Sequence, residues 1–284
     1  MQSIRDIKTR IESVKSTKQI TNAMKMVAAS KLRNAQSRIL QARPYADHVN
    51  KMLVDLRKRN STSQNPLLLE KENIDKKAIV IFTSDRGLCG SFNYNIIRRA
   101  KEYFAENPSA DVICVGKKGY DYFRKHTSQN IIKQYLGIFN EMNFNVSREI
   151  ANYLLNLFLV ENYDTVEVLY NEFKSAIQQN IVIKPLLPII IENSEEERSL
   201  DFIYEPSDDV VIEELGKKYI NVEIWRIMLE SSAAEQGARM TAMDSATENA
   251  AEMIEMLTLN YNRARQAAIT KEIIEIASGA EALK

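Results

Sequence analysis

A chain of 284 residues, 45% hydrophobic and 27% charged with a formal net charge of zero, has the length for one or two domains and a core of ordinary size. Its two cysteines, Cys89 and Cys114, stand in no metal-binding or redox spacing, and with only His48 and His126 a multi-histidine metal centre is excluded. Met1 to Arg10 lacks the apolar core of a signal peptide and no stretch approaches the ~20 apolar residues of a membrane span, so the expectation is a reduced, intracellular chain that meets a membrane only peripherally.

Residues 1–59 read as a first long helix. Its apolar residues alternate at spacings of three and four: Ile4, Ile7, Ile11, Val14, then Ala28, Leu32, Ala35, Ile39, Ala42, Ala46, Val49, Leu53 and Leu56. A period of 3.5 keeps one face against a partner helix along its whole length, where a period of 3.6 would drift away. Lys18, Thr21 and Lys25 are three consecutive polar seam positions, while Ile20, Met24 and Val27 carry apolar groups on a neighbouring face. Either the polar trio pins the register, or the helix here serves two surfaces. Pro44 falls inside the pattern and should kink the helix or mark a join. Residues 1–60 hold 14 Lys/Arg against 4 Asp/Glu, a basic balance compatible with an acidic surface, an acidic partner or a solvated face.

Asn60 to Glu72 has turn composition and forms a boundary. Residues 73–192 then change texture. Strands are expected at Ala78 to Thr83, Asp111 to Gly116, Asn130 to Tyr135, Thr165 to Phe173 and Gln178 to Pro185, with helices at Asn95 to Glu106, Lys117 to Lys125 and Ser147 to Asn162 between them. Alternating strands and helices imply a Rossmann-like three-layer α/β domain with a largely parallel sheet. The loop from Ser84 to Asn93 follows a strand and precedes a helix, where such folds often bind phosphates. Yet its two glycines match neither the phosphate-loop nor the dinucleotide pattern. A tight turn or a loop presented to another protein accounts for it better. Cys89 has no histidine nearby in sequence to activate it.

Glu192 to Ser199 reads as an acidic loop and Leu200 to Ser207 as a short extended piece. Residues 208–284 contain no proline and read as a second long helix, capped by Ser207 and roughly 100 Å long at ~1.5 Å per residue. Its seam runs from Leu215 to Ala268, broken only by Arg226, Gln236 and Thr247. An antiparallel two-helix coiled coil of the N- and C-terminal helices satisfies both seams, with partner numbers summing to about 267 if the chain leaves the inserted domain near 57 and re-enters near 210. From Ile269 the apolar stripe shifts by one position, to Ile273, Ile276, Ala280 and Leu283. Residues 269–284 are therefore expected to be a single-helix tip, either frayed or enclosed by another partner.

The residues carry a resemblance. Ser3 to Lys8 with Thr17 to Arg33, the Ser84 to Asn93 loop, Glu235 to Met243 and Tyr261 to Ile273 with Gly279-Ala280 resemble, in order along the whole chain, the gamma subunit of F-type ATP synthases of bacterial type. The resemblance implies a non-catalytic rotor without cofactor or metal. The paired helices would turn inside a ring of alternating alpha and beta subunits, and the foot would join the epsilon subunit and the membrane c-ring, peripheral on the cytoplasmic face of the inner membrane. It assigns subunit contacts to Met24 and Lys25 on the shaft, to Arg86, Cys89 and Gly90 in the central loop, and to Arg239 and Gln266 on the second helix. Tyr204 and Glu205 match the foot. The dithiol segment of plant-type relatives is not among these residues. Two other classes remain to be separated from this one: a coiled-coil scaffold with a recognition domain, and a nucleotide-dependent α/β enzyme with helical arms.

Overall fold

The computed structural model describes residues 3–59, 65–69, 71, 74–139, 142–176, 178–190 and 208–282. The elements are α1 (Ile4–Arg59), β1 (Lys77–Phe82), α2 (Phe92–Glu106), β2 (Asp111–Val115), α3 (Lys117–His126), β3 (Ile131–Tyr135), α4 (Phe144–Leu159), β4 (Thr165–Phe173), β5 (Gln179–Leu187) and α5 (Asp208–Ala282). They fall into two compact units, one of residues 1–28 with 240–284 and one of residues 29–239.

In the larger unit the five strands lie in the order β3-β2-β1-β4-β5. β1 pairs in parallel with β2 and β4, β2 in parallel with β3, and β5 closes one edge antiparallel to β4. β1 is central and buried on both faces, which is why its sequence is a continuous apolar run rather than an alternation. Side chains of successive residues still point to opposite sides. Ile79, Ile81, Val112, Cys114 and Leu169 pack under α2 and α3 with Ile96, Ala100, Phe104 and Phe123. Ala78, Val80, Ile113, Val115, Val166 and Val168 pack on the other side with Ile150, Leu154 and Leu157 of α4, Ile220, Ile224 and Ile227 of α5, and Val49, Leu53 and Leu56 of α1. Helices cover both faces, so the domain has three layers.

Here α1 and α5 run side by side in opposite directions. Ile39, Ala42 and Ala46 of α1 line a narrow cavity of about 80 Å³ together with Val222, Arg226 and Leu229 of α5. α1 runs unbroken through Pro44, so the join expected there is absent. The proline ring removes one backbone donor without ending the helix, whose flanking seam residues Ala35 and Val49 are both buried. α4 begins three residues before its expected start because the Asn143 side chain accepts from the Val146 backbone N–H at 3.1 Å and caps it.

The smaller unit is a pair of antiparallel helical segments. The hydroxyls of Thr21 and Thr247 lie 2.8 Å apart, and the Lys25 ammonium lies 2.5 Å from an Asp244 carboxylate oxygen, pairs that sum to 268 and 269. On α1 the seam positions Ile4, Ile7, Ile11, Val14, Lys18, Thr21, Lys25 and Ala28 are buried or half-buried, with Met24 the one other such residue between Ile4 and Ala28. On α5 the same holds for Met243, Thr247, Ala250, Ile254, Leu257, Tyr261, Ala264 and Ala268. From Ile269 to Gly279 every residue is exposed. The expected Ser207 cap and the segments 192–207 lie outside the described residues.

Candidate functional site

At the carboxyl end of the parallel strands the Ser84 to Asn93 loop folds on itself. Thr83 and Ser84 are fully buried. Ser84 donates through Oγ to the Arg86 carbonyl at 2.5 Å and through its backbone N–H to Asn93 Oδ1 at 3.0 Å, while Asn93 Nδ2 donates to Ser84 Oγ at 2.7 Å and to the Cys89 sulfur at 3.2 Å. Leu88 and Gly90 take positive φ values of 63° and 56°, which turns the chain sharply enough to aim the side chain of Cys89 inward. Cys89 packs with Phe92 and with Ala234 of α5. Burial pushes its thiol above the ordinary range, opposed by its hydrogen bond with Ser84, so it is a protected thiol rather than a nucleophile.

The amino end of α3, the helix that follows β2, is occupied by the chain itself. One oxygen of Asp85 accepts from the Lys117 N–H, the first residue of α3, at 3.0 Å and from the Gly137 N–H at 2.9 Å, so the positive helix end already holds a carboxylate. Gly116, at φ 103°, is required by packing: a Cβ there would stand 2.0 Å from the Thr83 carbonyl oxygen. Among the described residues no group of three or more histidine, cysteine or acidic side chains is placed to hold a metal ion, and no helix is long and apolar enough to cross a membrane.

α5 meets this loop through one and a half turns. Arg239, only 9% exposed, pairs with Glu235 at 2.6 Å and extends its other guanidinium nitrogen to the carbonyl oxygens of Gly87 at 3.2 Å and Arg86 at 3.5 Å. Burial raises the Glu235 carboxyl, and Arg239 opposes that shift. The β4–β5 hairpin touches the same turns: Gln179 Nε2 donates to the Ala234 carbonyl at 3.0 Å, and Gly237 lies against the backbone of Ala176. Beside it a cleft of about 280 Å³ is lined by Lys31, Asn34 and Arg38 of α1, Phe139 and Met142, and Ser232 and Gln236 of α5.

Of the positions named from sequence, Arg86, Cys89, Gly90 and Arg239 thus come together in the larger unit, with Arg86 and Gly90 outward and Cys89 and Arg239 inward. In the smaller unit Met24 is half-buried, Lys25 is paired with Asp244, and Gln266 is exposed. Next to Met24 and Lys25, Ile20, Met26 and Val27 are large apolar side chains left in the open, as are Ile269, Ile273, Ile274 and Ile276 further along α5. Contiguous exposed apolar residues mark surfaces that meet another body. Tyr204 and Glu205 lie outside the described residues. Asp85, Glu235 and Gly237 were not singled out by sequence. The Glu235–Arg239 spacing of four on a helix was a usable signal; the contacts across more than a hundred residues left none.

Against known proteins, a family model described as ATP synthase matches residues 3–283. The chain is 50% identical over 291 residues to the ATP synthase gamma chain of Prosthecochloris aestuarii, covering 100% of this chain and 99% of that one. It is 49% identical over 292 residues to that of Chlorobaculum parvum, with both chains fully covered. Among solved structures it resembles a chain of the Tetrahymena thermophila mitochondrial ATP synthase central stalk and c-ring, with a TM-score of 0.62 and 28% identity, over 80% of this chain and 99% of that chain. A chain of the Euglena gracilis mitochondrial ATP synthase shares the fold at a TM-score of 0.70 and 21% identity, over 99% and 94%.

Proposed function

The chain belongs to the ATP synthase gamma-chain family, and from that premise we propose that it is the non-catalytic central-stalk rotor of its complex, carrying rotation between a membrane c-ring and a ring of alternating alpha and beta subunits. The observation that carries this reading is the pattern of exposure along α5: the two-helix seam ends at Ala268, and the isoleucines beyond it face outward with no partner from this chain among the described residues. A helix of that kind needs an apolar surround, and a sleeve of alpha and beta subunits supplies one. The surround must also let it turn. Exposed side chains such as Gln266 and Arg86 offer hydrogen bonds of ~0.5–3 kcal/mol, strong enough to register an angle and weak enough to be broken and remade at each step.

In this reading Met24, Lys25 and the apolar residues beside them face the catalytic subunits, the outward Arg86 and Gly90 meet the lower part of one of them, and Tyr204 and Glu205 belong to the foot with epsilon and the c-ring. Arg239 and Gln266 belong to the contacts of the second helix with the ring, and Arg239 also holds the loop from within. The subunit sits peripherally on the cytoplasmic face of a bacterial inner membrane, attached through the complex. Reconstitution tests the proposal: purified chain is mixed with alpha and beta subunits, and ATPase activity is expected only with all three. Appreciable ATP hydrolysis by the chain alone would overturn it.

A further inference from the structure

We infer that residues 234–239 of α5 form an intrachain lock on the Ser84 to Asn93 loop and the β4–β5 hairpin, with Arg239 as its positioning residue. Four contacts converge on that short stretch. The Ala234 side chain packs on Cys89 and Phe92, and its carbonyl accepts from Gln179. Gly237 lets the hairpin backbone approach so closely that a Cβ would lie 3.0 Å from the Ala176 oxygen and 3.2 Å from its Cα. Arg239 spans from Glu235 to the carbonyls of Gly87 and Arg86. A guanidinium has no acceptor capacity and a fixed fork of donors. With one side on a buried carboxylate and the other on two loop carbonyls, this one ties α5 to the loop.

The physical consequence concerns the loop. Its backbone carries two positive-φ residues in succession but one, Leu88 and Gly90, and leucine in that region is strained. Local hydrogen bonds from Ser84 and Asn93 hold one end; Arg239 holds the carbonyls at the turn itself. The outward display of Arg86, Leu88 and Gly90 therefore depends on a residue that is itself hidden. Substituting Arg239 changes the outer surface from within, and an effect on assembly or coupling need not mean a lost direct contact. This inference stands on the geometry of the chain alone and does not depend on the rotor reading.

The test uses the isolated full-length chain and its own cysteines. N-ethylmaleimide is added under native conditions, and modification of Cys89 and Cys114 is followed separately by peptide mass spectrometry. Cys114 lies in the sheet under α2 and α3, away from the lock, and reports global unfolding. In the unaltered chain both thiols should react slowly. Arg239→Met should raise the Cys89 rate about tenfold through easier local opening, and leave Cys114 unchanged. Arg239→Lys keeps the charge opposite Glu235 but cannot span both sides, and should fall between. Cys89 as protected in Arg239→Met as in the unaltered chain would refute the lock, since a residue serving only an external partner would leave it untouched. Should Arg239→Met unfold, visible as equal rates at both cysteines, Arg239→Lys decides in its place, and a Cys89 rate unchanged in it overturns the inference equally.

Discussion

The glycines of α5 offer a comparison in which one helix contains its own control. Gly237 and Gly216 are both helical, and alanine at either gains ~0.8–1 kcal/mol of helix propensity. What opposes that gain differs. At Gly237 the added carbon meets backbone, 3.0 and 3.2 Å from the oxygen and Cα of Ala176, in a hairpin fixed by the β4–β5 ladder down to the Phe173–Gln179 pair. The hairpin must give by a few tenths of an ångström, and overpacking of this kind costs ~1–3 kcal/mol. At Gly216 the nearest atom, at 2.9 Å, is the Cδ1 methyl of Leu67, which can turn away. An off-rotamer displacement costs ~0.5–1.5 kcal/mol, close to the gain. Gly216→Ala is thus expected to lie within ~0.5 kcal/mol of the unaltered chain and Gly237→Ala to be less stable by ~1 kcal/mol, both estimates set by opposing terms of similar size. Urea unfolding of the full chain followed by circular dichroism measures both. A Gly237→Ala chain more stable than the parent by the full propensity gain would show that the hairpin does not press on α5, and the reasoning would be refuted.

Three further outcomes follow from other parts of the molecule. The bond between Thr21 and Thr247 at 2.8 Å crosses the helix pair, so Thr21→Val or Thr247→Val alone should destabilise by ~1 kcal/mol while the double variant loses less than the sum; strict additivity in denaturant titrations would dismiss the bond as a contributor. Asp164 is held down to about 2, first by the Lys71 ammonium at 2.7 Å and then by the backbone N–H groups of Lys76 and Asp75. A carboxyl depressed on folding contributes stability above its unfolded value of about 3.9, lost as pH falls toward 2, and the solvent access of Lys71 limits it to ~1 kcal/mol. Asp164→Asn should accordingly be weaker at pH 7 and indistinguishable from the parent near pH 2, and a constant gap across that window would assign the effect elsewhere. Finally, Ile273→Ser with Ile276→Ser should leave the stability of the isolated chain within ~0.5 kcal/mol because both side chains are exposed, yet reduce its incorporation into a reconstituted alpha–beta assembly; undiminished incorporation would remove these residues from the proposed sleeve contact.

Much of the fold could be read from the chain because its determinants are local. The 3.5-residue seam of α1 singles out, position by position, nearly all the residues that the structure buries between Ile4 and Leu56, polar Lys18, Thr21 and Lys25 included. Continuous apolar runs such as Ile79 to Phe82 identify strands covered on both sides. Pro44 marks no join for a physical reason: tertiary packing along a long seam outweighs the loss of one helical hydrogen bond, so the helix passes through it. The early start of α4 escaped because Asn143 is a cap only once its side chain turns back to Val146.

The candidate site was less legible, and Arg239 shows why. Sequence places it on the second long helix, and the resemblance assigns it to a subunit contact without showing what it touches in its own chain. Its neighbour Glu235 is four residues away and visible as a pair, but the Gly87 carbonyl lies 152 positions earlier and is a backbone group common to every residue. No residue type announces such an acceptor. The same holds for Asp85, whose partners are the backbone N–H groups of Lys117 and Gly137 at the ends of other strands. Both charges are spent on backbone groups that only the tertiary fold brings near: for Asp85 the sheet order β3-β2-β1, for Arg239 the packing of α5 on the loop after β1. Motif reading could therefore find the loop, by its place after a strand and before a helix, without showing which of its side chains face outward. That division, Arg86 and Gly90 outside with Cys89 and Arg239 inside, is set by long-range backbone hydrogen bonds, and it makes thiol protection at Cys89 a direct report on the surface that the loop presents.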